Sequence, residues 1–279
     1  MLGYSLYSNF SDHENIDAIG VVRSLDGVES YFSNKKSVVE GIDVHDFDRL
    51  AGLIKSIKPD LVVNCIGIIK QLSESKNHIE SISINSLLPH KLAVQCTENN
   101  AKLIHFSTDC VFNGLDGGYL ESSEPNAKDL YGRSKFLGEV DYDDHLTLRT
   151  SIIGHELKSS KSLVDWFLSQ SGQVKGFSKA VFSGVPTCYL ARLIADVILE
   201  NLHISGLYHL SAAPINKFDL ITKIKSIYGK NIDIELSKEL VIDRSLNSAK
   251  LKNELSIDVP SWDALINEMH LDYVQRYLK

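Results

Sequence analysis

The chain has no apolar run near the roughly 18 residues that cross a bilayer, and no basic-then-apolar opening of a secretory leader. No membrane association is therefore expected. It has no basic block either. Its 29 Lys and Arg stand against 36 Asp and Glu, a net charge of -7, which argues against a nucleic-acid partner. The four cysteines (Cys65, Cys96, Cys110 and Cys188) form no CxxC pair. Reduced thiols in a cytoplasmic protein are the simplest expectation. The ten histidines show no HExxH or other paired-ligand spacing, so no metal site is expected, and His90, His105 and His209 are read as core or packing residues. Repeats, low-complexity tracts and flexible linkers are also missing, so any two lobes should be closely packed.

What is present is chemistry concentrated between Ser107 and Lys135. The stretch reads STDCVFNG, then a short loop rich in Gly and acidic residues, then YGRSK. Before it, residues 102–106 read KLIHF, a short apolar run that predicts a buried parallel strand. Thr108 then falls just past that strand's carboxyl end, where open α/β sheets hold ligands. Tyr131 and Lys135 are four apart and share one face of a helix. This trio suits reduction of a carbonyl. A phenol has a reference pKa of about 10, which a nearby ammonium lowers. The phenol can then give its proton to a carbonyl oxygen, while a Thr hydroxyl holds the same oxygen. Tyr-x-x-x-Lys alone says little. A second pair, Tyr31 and Lys35, occurs without a strand-end Thr before it and is read as coincidental.

STDCVFNG followed by YGRSK resembles the extended short-chain dehydrogenase/reductase superfamily. Within it, the pattern is similar to the dTDP-4-dehydrorhamnose reductase family, whose first stretch usually reads STDYVFDG. Two departures are Cys110 for the usual Tyr and Asn113 for the usual Asp. The resemblance implies Thr108, Tyr131 and Lys135 as the catalytic residues. It also implies that Thr108, Asp109, Val111 and Phe112 meet the substrate, and that Arg244, in DRSLNSAKLKNEL, faces a substrate phosphate.

Along the rest of the chain, the expected fold class is α/β. It is a Rossmann-like doubly wound parallel sheet, with residues 1–155 binding NAD(P). Residues 156–279 form a smaller substrate lobe, from which residues 187–212 return to the first part. Such a fold opens with a strand and a glycine-rich turn. This chain instead opens Met1-Leu2-Gly3 and runs into a helix, so Leu2 and Gly3 read as the tail of the turn. The first strand and two glycines are missing against the fingerprint, about ten residues' worth. On that reading the chain should bind dinucleotide poorly and be less stable than one with the strand restored.

Residues 16–22 predict the next strand, ending at Arg23 and Ser24, a pair that favours the 2′-phosphate of NADP over NAD. Residues 37–44 predict another, with Asp43 and Val44 matching family positions beside the adenine. Asp46 predicts an N-cap for a helix stopped by Pro59. Residues 61–67 predict a doubly covered strand, ending at Cys65, Ile66 and Gly67 where the family backbone skirts the cofactor. Residues 79–99 have helical spacing, and Asn85 within them matches a family Asn near the cofactor. Arg149 reads equally as a packing residue or a phosphate ligand.

The resulting expectation is NADPH-dependent reduction of the 4-keto group of a nucleotide-linked 4-keto-6-deoxy sugar in cell-surface polysaccharide synthesis, the rhamnose precursor or a UDP-linked acetamido sugar. Partners are the nucleotide sugar and a second copy of the chain. The competing expectations are a non-catalytic subunit, like the regulatory subunit of methionine adenosyltransferase, and a nucleotide-sugar epimerase.

Overall fold

The strand that carries Thr108 is buried at every one of its seven residues, as an apolar run covered on both faces should be. The computed structural model describes residues 1–32, 37–70 and 76–278; Lys35 of the second Tyr-x-x-x-Lys pair lies outside them. Helix α1 (Leu2–Ser11) is followed by β1 (Gly20–Val21) and β2 (Val38–Val39), then by α2 (Phe47–Ile57) and β3 (Leu61–Asn64). Next come α3 (His78–Ser81), a π-helical segment (Ile82–Leu87) and α4 (Leu88–Glu98), continuous along the chain. β4 (Lys102–Thr108), α5 (Leu130–Leu137) and β5 (Leu146–Thr150) complete the first half.

β10 (Gly206–His209) pairs parallel beside β5, giving a four-stranded parallel sheet in the order β10-β5-β4-β3. Before it lie β6 (Ile152–Ile153), α6 (Leu163–Ser169), β7 (Gln173–Phe177), β8 (Ala180–Phe182), β9 (Val185–Pro186) and α7 (Thr187–Leu193). After it come β11 (Ile215–Asn216), α8 (Lys217–Ile227), β12 (Asp233–Ser237), β13 (Ile242–Asp243), α9 (Ala249–Leu255) and α10 (Trp262–Arg276). These build small sheets β11-β8-β13, β12-β7 and β6-β9.

Alternation along β4 explains the layers. Leu103 faces a core with Leu50, Ile54, Leu92 and Cys96 from α2 and α4. Ile104 and Phe106 face the other way, into a larger core with Leu6, Leu190, Leu220 and Ile266 from α1, α7, α8 and α10. Each such fully buried aliphatic side chain stabilises by about 1.5–3 kcal/mol. His105 shares the Leu103 face but carries polar atoms, and it is fully buried all the same.

The doubly wound parallel sheet is thus present, in two pieces. β1 pairs with β2 in a separate ladder, Gly20 opposite Val38, and β1 and β3 belong to different sheets. Two expected strands are much shorter than their apolar runs. Residues 16–22 give only Gly20–Val21, and residues 37–44 only Val38–Val39. A run of β-formers becomes a strand only where a neighbour takes up its N–H and C=O groups, and each of these has two residues of ladder. Asp46 does cap α2, accepting from the Arg49 N–H at 3.2 Å, and Lys58 ends the helix in the left-handed conformation before Pro59. Among the described residues, no helix is long and apolar enough to cross a membrane.

Candidate active site

Thr108 ends β4, and its Oγ1 accepts from the Cys110 N–H at 3.1 Å while lying 3.1 Å from Asp109 Oδ1. This small turn is a platform for α5. Asp129 caps that helix, its side chain accepting from the Gly132 N–H at 3.0 Å. Gly132 is where helix and turn touch: a Cβ there would run into the Cys110 carbonyl and the Ala127 methyl. Because Gly132 allows that approach, the neighbouring Tyr131 comes to rest near Thr108, whose hydroxyl acts on the phenol.

Burial pushes the Tyr131 phenol above its ordinary pKa, Cys110 adds to the rise, and the nearby Thr108 hydroxyl works against it. The phenol is therefore held as O–H, a proton donor. Sequence reasoning had the Lys135 ammonium lowering that pKa. Instead burial raises it, and the groups acting on the phenol are Cys110, Thr108, Asp109 and Asp129, with Lys135 not among them. Lys135, one turn along α5, is buried and donates to the Phe106 carbonyl on β4 at 2.6 Å. Its Nζ is also 3.4 Å from His105 Nε2. Burial lowers its pKa to about 8, and Glu139 opposes the fall.

The loop after β3 lies over the same end of the sheet. Ile66 and Gly67 are exposed, and Cys65 is half-buried with its thiol pushed up to about 12 by burial. A Cβ on Gly67 would stand 3.4 Å from Asn85 Oδ1 and 4.0 Å from Lys135 Nζ, so the bare backbone there leaves room beside the buried amine. Asn85, in the π-helical segment, accepts from the Ile68 N–H at 2.8 Å and donates to the Ile68 carbonyl at 3.1 Å. It also donates to Ser134 Oγ at 3.2 Å, tying the loop to α5. Gly3, near the start of α1, comes close to Cys65: a Cβ on Gly3 would sit 3.5 Å from Cys65 Cβ. Leu2, half-buried next to it, packs against the larger core.

On the far side, Arg23 and Ser24 stand exposed beyond β1, with Ser24 Oγ accepting from the Asp26 N–H at 3.0 Å. Asp43 follows β2 and accepts from the His45 N–H at 3.0 Å. Val44 lines a cleft of about 140 Å³ with Ser83, Leu87 and Lys91. The residues assigned to the cofactor thus lie mostly in loops at the ends of parallel strands. Exposed loops follow β1, β2 and β3, and beside Lys135 Gly67 contributes no side chain.

The residues assigned to the substrate divide. Asp109 is buried beside Thr108, its carboxyl pushed up by burial, with hydrogen bonds from Cys110 and Thr108 and the charge of Arg244 opposing. Arg244 reaches the same turn, donating to the Phe112 carbonyl at 2.9 Å, with Nη1 3.8 Å from Cys110 Sγ. The side chains of Val111 and Phe112, by contrast, are fully buried in a small cluster with Tyr119 and Leu246. Phe112 stacks on Tyr119 with ring centroids 4.1 Å apart. Those two side chains pack, and only their backbone faces the turn's partners. Asn113 organises the next loop, its Oδ1 accepting from the Leu115 N–H at 2.9 Å and the Tyr119 hydroxyl at 3.0 Å.

The sequence left Arg149 open between two roles and showed neither its Glu139 partner nor the two features that follow. Arg149 is 2% exposed and makes a bidentate pair with Glu139 at 2.6 Å through both Nε and Nη2. It is a packing residue and not a phosphate ligand. Ser107 Oγ donates to the same Glu139 at 2.5 Å. Gly138, just past α5, has no room for a Cβ against the Asn85 carbonyl. Only the spacing of Glu139 from YGRSK could have hinted at this, because the partners are distant in sequence.

The chain is 30% identical to the probable low-salt glycan biosynthesis reductase Agl14 of Haloferax volcanii, over 78% of this chain and 77% of that protein. It is 30% identical to the dTDP-4-dehydrorhamnose reductase of Escherichia coli, over 81% of this chain and 84% of that one. The crystal structure of dTDP-4-dehydrorhamnose reductase from Bacillus anthracis in complex with NADP superposes with a TM-score of 0.72 at 19% identity, covering 91% of this chain and 99% of that one. The RmlD substrate binding domain family matches residues 1–273, nearly the whole chain, and the protein belongs to that family.

Proposed function

We propose that this protein is an NADPH-dependent oxidoreductase that reduces the 4-keto group of a nucleotide-linked 4-keto-6-deoxy sugar, in the cytoplasm, for cell-surface polysaccharide synthesis. The observation that carries the reading is the close packing of α5 at Gly132 on the turn after Thr108, which gathers Thr108, Tyr131 and buried Lys135 at the carboxyl end of β4. The two reductases to which the chain is 30% identical support the reaction type. The B. anthracis reductase, crystallised with NADP, and the Arg23-Ser24 pair support the choice of NADPH.

When bound, NADPH supplies the hydride that reduces C4. The chain's own residues do the rest. Tyr131, kept protonated by burial, donates its proton to O4 as negative charge builds there. Thr108 hydrogen-bonds the same oxygen and fixes its position. Cys65, Ile66 and Gly67 offer backbone beside the nicotinamide end, braced by Asn85, while Leu2 and Gly3 lie next to that loop. Asp43 and Val44 take the adenosine end. Arg244, at the Asp109–Cys110 turn, brings a positive charge toward the diphosphate.

The test is NADPH oxidation against a panel of 4-keto nucleotide sugars. Stoichiometric oxidation with one of them is expected, and Tyr131→Phe should lower kcat by about 10²–10⁴-fold with an unchanged circular dichroism spectrum. Interconversion of sugars without net oxidation would point to an epimerase. Binding without turnover on every sugar would point to a non-catalytic subunit.

A further inference from the structure

A chain of hydrogen bonds runs from the loop after β3 into the buried amine of α5. Asn64 Oδ1 accepts from the Ile66 N–H at 3.0 Å. Asn64 Nδ2 lies 3.1 Å from His105 Nδ1, His105 Nε2 lies 3.4 Å from Lys135 Nζ, and Nζ donates to the Phe106 carbonyl at 2.6 Å. Asn64 and His105 sit opposite each other in the β3–β4 register and are both buried.

The direction of this chain is fixed at its first link. A backbone N–H can only donate, so the Asn64 atom facing Ile66 is the oxygen. The amide nitrogen then faces His105, and an amide nitrogen can only donate. His105 Nδ1 must accept, which places the imidazole proton on Nε2. Reversing the amide would turn two donors, Nδ2 and the Ile66 N–H, on each other. The Nε2–H is therefore aimed at Lys135 Nζ. A neutral amine has a lone pair to receive it, and an ammonium has none.

We infer that His105, locked by Asn64 as the Nε2–H tautomer, is a positioning residue that donates to the Lys135 amine and so sets the pH at which that amine gains its charge. This inference rests on the reading of Lys135 as part of the reducing site. It accounts for a histidine in the middle of a fully buried strand, where an aliphatic residue would pack as well. The other groups that bear on the pair are few. Tyr131 shares the helix with Lys135, and Glu139, just past the end of that helix, is taken up by Arg149 of β5. His90 of α4 acts on His105 electrostatically while bonded to Tyr142 and the Leu137 carbonyl. Asn85 and Gly67 add no charge. Burial already keeps His105 neutral, its pKa well below the usual imidazole value, so its role is that of a donor and not of a second cation.

The experiment is nitrogen-detected NMR on the whole chain. His105 should show a protonated Nε2 and a bare Nδ1. The Lys135 Cε resonance, assigned by its loss in Lys135→Met, should titrate below the ordinary lysine value. Asn64→Asp keeps the Ile66 contact but accepts from Nδ1–H, so it should reverse the tautomer and raise the Lys135 midpoint by about one pH unit, a tenfold change in its charge ratio. His105→Phe, which removes the donor and keeps the ring volume, should also raise it. The basic limb of the kcat profile should move by the same amount, with KM little changed. A wild-type His105 carrying its proton on Nδ1 would overturn the inference, as would a Lys135 midpoint that neither variant moves. If wild type oxidises no NADPH with any sugar, the proposed function fails, and the tautomer and midpoint still decide this question separately.

Discussion

Asn85 closes on both polar atoms of Ile68, its Oδ1 taking the N–H at 2.8 Å and its Nδ2 giving to the C=O at 3.1 Å. One side chain thereby does for the loop after β3 what a neighbouring strand would do for a strand. The π-helical segment puts Asn85 there: the wider turn shifts it off the register of a regular α-helix, and such turns recur at functional sites. The loop it holds contains Gly67, beside Lys135.

Asn85→Ala should therefore cost about 1–3 kcal/mol through polar groups left unsatisfied, read as a fall in the urea midpoint. NADPH affinity should fall with it, since the loop loses its brace. Isothermal titration would show this, and unchanged affinity with lowered stability would assign Asn85 to folding alone.

Gly132→Ala and Gly138→Ala separate two contacts of α5. The first drives a methyl into the Cys110 carbonyl, the second into the Asn85 carbonyl. Backbone cannot step aside as a side chain end can, so each should destabilise by about 1–3 kcal/mol or more. Gly132→Ala should also lower kcat, because it moves Tyr131 away from Thr108. Thermal melts alongside single-turnover rates would resolve the two effects.

The Arg149–Glu139 pair is 2% and 6% exposed at its side chains. Arg149→Met strands a buried carboxylate and should cost about 3–5 kcal/mol. Arg149→Met combined with Glu139→Leu should recover most of that loss, because no charge is then left unpaired. Equilibrium unfolding of the two single variants and the double variant measures the coupling directly.

Lys135 carries a pH signature of opposite sign to that of a lysine whose pKa is raised by an acidic partner. Its pKa is lowered to about 8 in the fold, against about 10.4 when unfolded. Between these values the unfolded chain holds more protons, so stability rises with pH across that window. Below about pH 8 the fold carries the whole cost of a buried ammonium. Lys135→Met should accordingly stabilise the protein at pH 7 by about 1–2 kcal/mol while abolishing turnover. The gain should shrink as pH climbs from 8 toward 10. A Met variant that is less stable at every pH would show that the Phe106 hydrogen bond outweighs the desolvation.

What the sequence determined by itself is local. The apolar run of residues 102–106 fixed a buried strand and put Thr108 at its end. The i, i+4 spacing put Tyr131 and Lys135 on one helix face, and Asp46 and Pro59 bounded α2. These follow from periodicity and from groups acting within a few residues of themselves. The tertiary structure alone decided what those side chains meet. Lys135 turns to Phe106 and His105, Arg149 pairs with Glu139 and leaves phosphate to others, and the runs at residues 16–22 and 37–44 shrink to two-residue strands. Each of these depends on a partner brought from elsewhere in the chain, and on the cost of leaving a charge or a backbone group buried without one. No reading of spacing along one segment contains that partner.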